Sequence, residues 1–263
     1  MNVYSRSIVR LPADCAQSTP ESRCRRPLRA AVAAAAIAVL AACSSGDGSS
    51  DQPLTTVAVP DGASGSAPTA EQLTAALLTR TDLPAGFEPT PTLADFGLPE
   101  TGGPDLASTD PTVCAAVLAP VAAQVTDVSG SAEASFTGSD FLTVDQTIAG
   151  YAPDAVGPAF DKIQSNLSAC PRYSGTDADG VPVDYQLSGG PTLTNVPDAA
   201  DALVTFRLST SSEGVTLVTD AVVAVVGNSI LQISAGGLDP IGDDVLSAIT
   251  AIAIERAAAV PEA

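Results

Sequence analysis

The five cysteines carry the most reactive side chains of this chain, and their positions divide them. Cys15 and Cys24 lie near the N-terminus, Cys43 closes an apolar run, and Cys114 and Cys170 fall in the body of the sequence. There is no His, so no Ser-His-Asp or Cys-His relay and no His-ligated zinc site can be built. Lys162 is the single Lys. Carboxylates, hydroxyls and thiols are what remain for chemistry. Paired carboxylates alone suffice for glycoside hydrolysis, yet the inventory as a whole points away from an enzyme. No catalytic, cofactor-binding or metal-ligating residue is expected.

Cys43 has the most specific surroundings. Arg23, Arg25, Arg26 and Arg29 form a basic cluster, and the stretch from Ala30 to Ala42 is apolar throughout. That run is too short to cross a bilayer as a helix and suits the hydrophobic region of a secretory signal. Leu40-Ala41-Ala42-Cys43 ends it, and from Ser44 the composition turns to Ser, Gly, Asp and Pro. Small residues at 41 and 42 let an extended chain enter a peptidase cleft, and the thiol can carry a thioether-linked diacylglycerol. The segment resembles the bacterial lipobox. That resemblance implies cleavage between Ala42 and Cys43, lipidation of Cys43, and retention of an exported protein at the outer face of the cell membrane. An ordinary signal peptide, or a buried Ala-rich helix, is the plainer reading of the same residues.

The formal net charge is −19. Six of the 11 basic residues and two of the 30 acids lie in residues 1–42, which leaves five and 28, a net charge of −23. Such a chain repels nucleic acid and anionic headgroups. Cys114 and Cys170 form an even pair in an oxidising compartment and read as a disulfide, with two free buried thiols as the alternative. Closing that loop would stabilise the fold by ~4 kcal/mol in the chain-entropy model. Only Arg172 is near enough in sequence to stabilise a thiolate.

Three stretches follow from composition: 1–42 as signal segment, 43–70 as lipidated cysteine and flexible tether, and 71–263 as an extracytoplasmic domain. A tether of this length has an r.m.s. reach on the order of 30 Å. Within the domain, Leu73, Leu77 and Leu78 predict a helix from Glu71 to Thr79. Asp110 as N-cap and Pro111 in the first turn predict a second, with Val113, Val117 and Leu118 inward. Ser131 to Phe136 alternates apolar and polar residues as a strand with one wet face, and Phe141 to Tyr151 pairs with it. Val156, Phe160, Ile163 and Leu167 predict a helix from Ala152 to Ala169, stopped by Cys170-Pro171. Strands follow at Val181 to Leu187, Ala202 to Thr210, Val215 to Val226 and Ser229 to Ser234, the last two joined by Gly227-Asn228. A helix from Asp243 to Ala259 closes the chain, with Val245, Ile249, Ile252 and Ile254 inward. Hairpins dominate, so the fold class is α+β: a largely antiparallel sheet, helices packed mainly on one face, one disulfide.

Several of these features occur together in a known family. Leu77-Leu78, then Asp82-Leu83-Pro84-Ala85-Gly86-Phe87, the helix bearing Cys114, the strand ending near Tyr151, the helix closed by Cys170-Pro171 and the hairpin at Val226-Gly227-Asn228 come in one order. Residues 71–259 resemble the extracellular sensor domain of the mycobacterial serine/threonine kinase PknH, and actinobacterial lipoproteins that carry that domain alone. The resemblance implies a central sheet with helices and a groove for an unknown ligand. The kinase domain has a second disulfide for which this chain has no cysteines, and no ligand-binding residue transfers.

Other clusters have plain explanations. Asp177-Ala178-Asp179-Gly180 with Asp184 departs from calcium-loop spacing and reads as a solvated turn. Asp239, Asp243 and Asp244 complement a helix dipole. Gly189-Gly190 and Gly236-Gly237 lack the Lys and hydroxyl of a phosphate loop and read as turns. Lys162 and Arg207 could neutralise an anionic ligand but are expected to pair with carboxylates. The strands Val215 to Val226 and Ile230 to Ile233 either fill the core or line a lipid cavity. The function expected is a non-catalytic envelope module that binds or senses a lipid, wall fragment or small molecule, with a lipid carrier as the alternative.

Overall fold

Runs of β-branched residues, switched from apolar to polar at every second position, build most of the fold. The structure is a computed structural model and describes residues 52–60, 64–91 and 107–260. The expectations placed on residues 1–51, including cleavage at Ala42 and lipidation of Cys43, lie outside the described residues.

In chain order the strands are β1 (Glu88–Pro89), β2 (Ser108–Asp110), β3 (Gly130–Thr137), β4 (Thr143–Gly150), β5 (Arg172–Thr176), β6 (Pro182–Gly189), β7 (Ala202–Ser212), β8 (Val215–Val226) and β9 (Ser229–Gly237). The helices are α1 (Ala70–Ala75), α2 (Val121–Gln124), α3 (Val156–Ala169) and α4 (Asp243–Ala258). One nine-stranded sheet runs β1-β3-β4-β9-β8-β7-β6-β5-β2, and each of its pairings is antiparallel. Gly227 takes φ +55° in the two-residue β8–β9 hairpin, where a side chain would be strained. The α+β class, the antiparallel sheet and the Cys114–Cys170 disulfide are as expected; that bond spans 56 residues with Cα atoms 5.7 Å apart.

The helices do not share one face. On one side α3 buries Val156, Phe160, Ile163 and Leu167 against Phe206, Leu208, Val223 and Val225. On the other, α1 and α4 bury Leu73, Leu246, Ile249 and Ile254 against Val222, Ala224, Ile148 and Ile233. Residues 220–226 of β8 are consequently buried at every position, because alternate side chains enter different cores. The α+β class holds, with the helices divided between two faces where they were expected mainly on one.

The second predicted helix also fails. Asp110 is extended because it pairs with Ser174 in the β2–β5 ladder. A 3-10 turn at Thr112–Ala116 carries Cys114, and Pro120 then interrupts the helix before α2, since a residue preceding proline is held out of the helical region. Val113 and Leu118 stay exposed.

Part of the segment that composition assigns to a tether is described. Residues 52–60 lie on the domain: the Gln164 side chain accepts from the Val57 amide at 2.7 Å and donates to its carbonyl at 2.9 Å. Leu54, Val57 and Val59 pack on the α3 core. Gly189 donates to the Gln52 carbonyl, and a Cβ on Gly189 would meet Pro53 and Gln52 at 3.0–3.1 Å. Farther along, Asn228 Nδ2 donates to the carbonyls of Ser64 and Ser66. Enough Leu and Val sits among the Pro and Thr of this segment to dock it.

Candidate functional site

Each face of the sheet is covered over only half its width, and the halves are opposite. Across the α3 face, one cross-strand row reads Val204, Val223, Gln232, Thr147, Glu133 and the next Phe206, Ala221, Ser234, Asp145, Ser135. Each row is apolar beneath α3 and polar from β9 outward. On the α4 face the order reverses. Gln186 and Ser209 stand beside Arg172 in one row, and Asp110, Ser174, Asp184 and Ser211 form the next.

The second arrangement makes an open groove of about 550 Å³ across β2, β5, β6 and β7. Arg172, Asp110, Asp184, Ser174 and Ser209 line it. The residues between, Tyr173 and Tyr185, point to the other face and stack there, with ring centroids 4.5 Å apart and planes within 10°. Burial, and then the charge of neighbouring Tyr185, raises the Tyr173 phenol above its ordinary pKa. The stack fixes the β5–β6 register and with it the order of polar groups in the groove.

Five basic residues follow residue 42, and they divide by partner. Arg80 pairs with Glu88 at 3.1 Å, Arg256 with Asp82 at 2.7 Å, and Arg207 with Asp220 through two bonds of 2.7 and 2.8 Å. Arg207 thus takes the pairing role expected of it; Asp220 is fully buried and raises the guanidinium pKa, against the opposing effect of burial. Burial pushes the Asp82 carboxyl up, but hydrogen bonds from Thr79 and Arg256 outweigh this and hold it below the usual range. Among the described residues, Arg172 and Lys162 have no ion pair. Lys162 is exposed on α3, whereas Arg172 stands in the groove with Asp110 and Asp184. An unpaired guanidinium flanked by carboxylates and hydroxyls can hold a ligand carboxylate in bidentate fashion while the carboxylates accept from its donors.

The remaining sequence candidates do not converge on this site, except Asp184. Asp177 Oδ1 accepts from the amides of Asp179 and Val181, closing a turn between β5 and β6, while Asp184 lies on the strand beyond. No group of three side chains able to hold a metal occurs among the described residues. Asp243 and Asp244 occupy the first turn of α4, as the dipole argument requires. Gly236 and Gly237 end β9 and Gly189 ends β6, so these three are strand residues rather than turns. Val222, Val223, Val225 and Val226 of β8 and Ile230 and Ile233 of β9 pack into the two cores instead of lining a cavity. Sequence reasoning missed the groove because β5 is five residues long and follows Cys-Pro. The available signal was the period-two polar pattern Asp184-Gln186-Ser188 matched by Arg207-Ser209-Ser211.

The sequence matches no protein-family profile and no curated protein. Solved structures do match. The extracellular domain of PknH from Mycobacterium tuberculosis aligns with a TM-score of 0.52 at 12% identity, over 74% of this chain and 98% of that one. The fold is that of a PknH-like extracellular domain. An uncharacterised protein from Mycobacterium smegmatis, an Rv0999 ortholog, aligns over 71% of this chain and 98% of its own at 16% identity, with a TM-score of 0.35. No helix among the described residues is long and apolar enough to cross a membrane.

Proposed function

We propose that this chain is a non-catalytic, ligand-sensing module of the cell envelope, held at the outer face of the cell membrane by lipid on Cys43. The observation that carries the ligand-binding part is Arg172, a cation without an ion pair among the described residues, set in a polar groove of an acidic chain. Elsewhere in the domain Arg side chains near carboxylates pair with them; here the fork is left to the groove. The ligand that fits is a small polar molecule presenting a carboxylate beside hydroxyl or amine donors, the chemistry of a soluble wall fragment. The fold shared with the PknH extracellular domain agrees with an exported module. The basic cluster, short apolar run and Ala41-Ala42-Cys43 support the anchor. The surface charge argues against nucleic acid as a partner.

Two measurements test the two parts. Cys43→Ala should abolish the diacylglycerol mass and leave the protein either uncleaved at Ala42 or released from membranes; unchanged mass with unchanged retention would contradict the anchor. Native mass spectrometry of protein purified without detergent from its envelope should show a small polar adduct that Arg172→Ala loses. An adduct that dissociates as a lipid and survives Arg172→Ala would favour a lipid carrier instead.

A further inference from the structure

The uncovered half of the α3 face holds a second groove, of about 250 Å³, unrelated to Arg172. Its floor is made by β4, β9 and β8, the middle of the sheet, backed on the opposite face by the α1 and α4 core. Leu118 and Pro120 form a rim on one side. Gln232 lies in the floor and is only 3% exposed. Its Oε1 accepts from Gln124 Nε2 at 2.9 Å, and its own Nε2 donates to nothing among the described residues. That Nε2 is not among the fully buried side-chain atoms without a partner, so it reaches the open groove, where a ligand acceptor can take the place of water.

The other groups restrict what that can be. Asp145 and Glu133 line the groove and no basic side chain does, so an anion is disfavoured. A bare cation or ammonium would satisfy the carboxylates but offers no acceptor to Gln232 Nε2. A hydroxyl group does both, since it donates once and accepts twice. Gly236 opens the floor between the Thr219 and Thr143 hydroxyls, where an added Cβ would meet Thr219 Oγ1 at 2.9 Å. Glycine inside a strand is a common device for close approach of a ligand to the backbone. The exposed Leu118 and Pro120 offer an apolar surface for C–H groups.

We propose that this groove is a second ligand site that takes the hydroxyl-bearing face of an uncharged sugar ring. Gln232 Nε2 donates to a ring hydroxyl, Asp145 and Glu133 accept from others, and the ring's C–H face lies against Leu118 and Pro120. The proposal stands apart from the Arg172 groove, on the other side of the sheet, and either can hold without the other.

The test is an amide chemical-shift titration of residues 44–263 with methyl β-D-glucoside, methyl α-D-mannoside and N-acetyl-D-glucosamine, each to about 50 mM, above the millimolar affinities expected for single rings. Saturable shifts in residues 143–147 and 232–236 with at least one sugar are expected. Asp145→Asn, an isosteric change at a half-buried strand position, should weaken that binding about tenfold, the worth of one charge-assisted hydrogen bond, with the amide spectrum otherwise unchanged. Gln232→Leu should weaken it at least as much, and Arg172→Ala should leave it unchanged. The proposal is overturned by the absence of saturable shifts with all three sugars, or by shifts confined to residues 172–186.

Discussion

Arg207 and Asp220 show how a single pair is held at the junction of two environments. Asp220 is fully buried while the Arg207 side chain keeps 22% of its exposure, so the two are not equally replaceable. Arg207→Ala leaves an uncompensated carboxylate under α4 and should cost about 3 kcal/mol in urea unfolding. A loss within a few tenths of that seen for Arg80→Ala, an exposed pair, would show that Asp220 finds another partner. Tyr151 poses the opposite case. It is fully buried, and its hydroxyl has no hydrogen-bond partner among the described residues. Tyr151→Phe should therefore stabilise the domain by about 1 kcal/mol at neutral pH, the desolvation cost of an unmet hydroxyl. Burial pushes this phenol up to about 12, against an unperturbed value of 10.0. A raised pKa means stability that is complete below pH 10 and is lost as pH climbs toward 12. Unfolding curves across that window should fall more gently for Tyr151→Phe than for the parent, and parallel curves would remove Tyr151 from the account.

Elements divide into those whose partners are close in sequence and those whose partners are far. The β8–β9 hairpin and α3 are legible because their own periodicity and stop signals, Gly227-Asn228 and Cys170-Pro171, suffice. The edge strands β1 and β2 hold two and three residues and exist only through pairing with β3 and β5, which local pattern does not show. Residues 52–60 belong to the second kind as well: a composition of Pro, Thr and Val reads as a linker until Gln164 and Gly189 are placed beside it. Gln164→Ala removes two hydrogen bonds to Val57, worth about 1 kcal/mol each. The expected result is much faster hydrogen exchange at Val57 with little change in the exchange of β8; unchanged exchange at Val57 would show that its apolar contacts alone hold the segment. The disulfide joins the turn before α2 to the C-cap of α3, and Cys114→Ala with Cys170→Ala should cost roughly 2–5 kcal/mol in thermal unfolding. A melting temperature equal to the parent's would mean that packing of the 112–125 segment on α3 needs no cross-link.

Across the whole molecule, the polar grooves are where the helices are not. A nine-stranded sheet is wider than one helix layer covers, and α3 and α4 sit over opposite halves. The alternation of Ala132, Ala134 and Phe136 with Ser131, Glu133 and Ser135 announced one wet face correctly, and that wet face is the sugar-sized groove. The same logic applied to Asp220-Ala221-Val222-Val223-Ala224-Val225-Val226 would have revealed two cores, since an unbroken buried run means cover on both sides. The Arg172 groove was not legible, because four strands from residues 108 to 212 must meet in register before its groups come together.

The central claim is that Arg172 and its flanking carboxylates form a ligand site, and a calorimetric titration tests it most directly. Residues 44–263 and their Arg172→Ala variant would each be titrated with a soluble muropeptide carrying a free carboxylate. The account predicts saturable binding that weakens at least about tenfold on losing the guanidinium, the loss expected for a charge-assisted bidentate contact. Equal binding by the two proteins, or none by either, would contradict it.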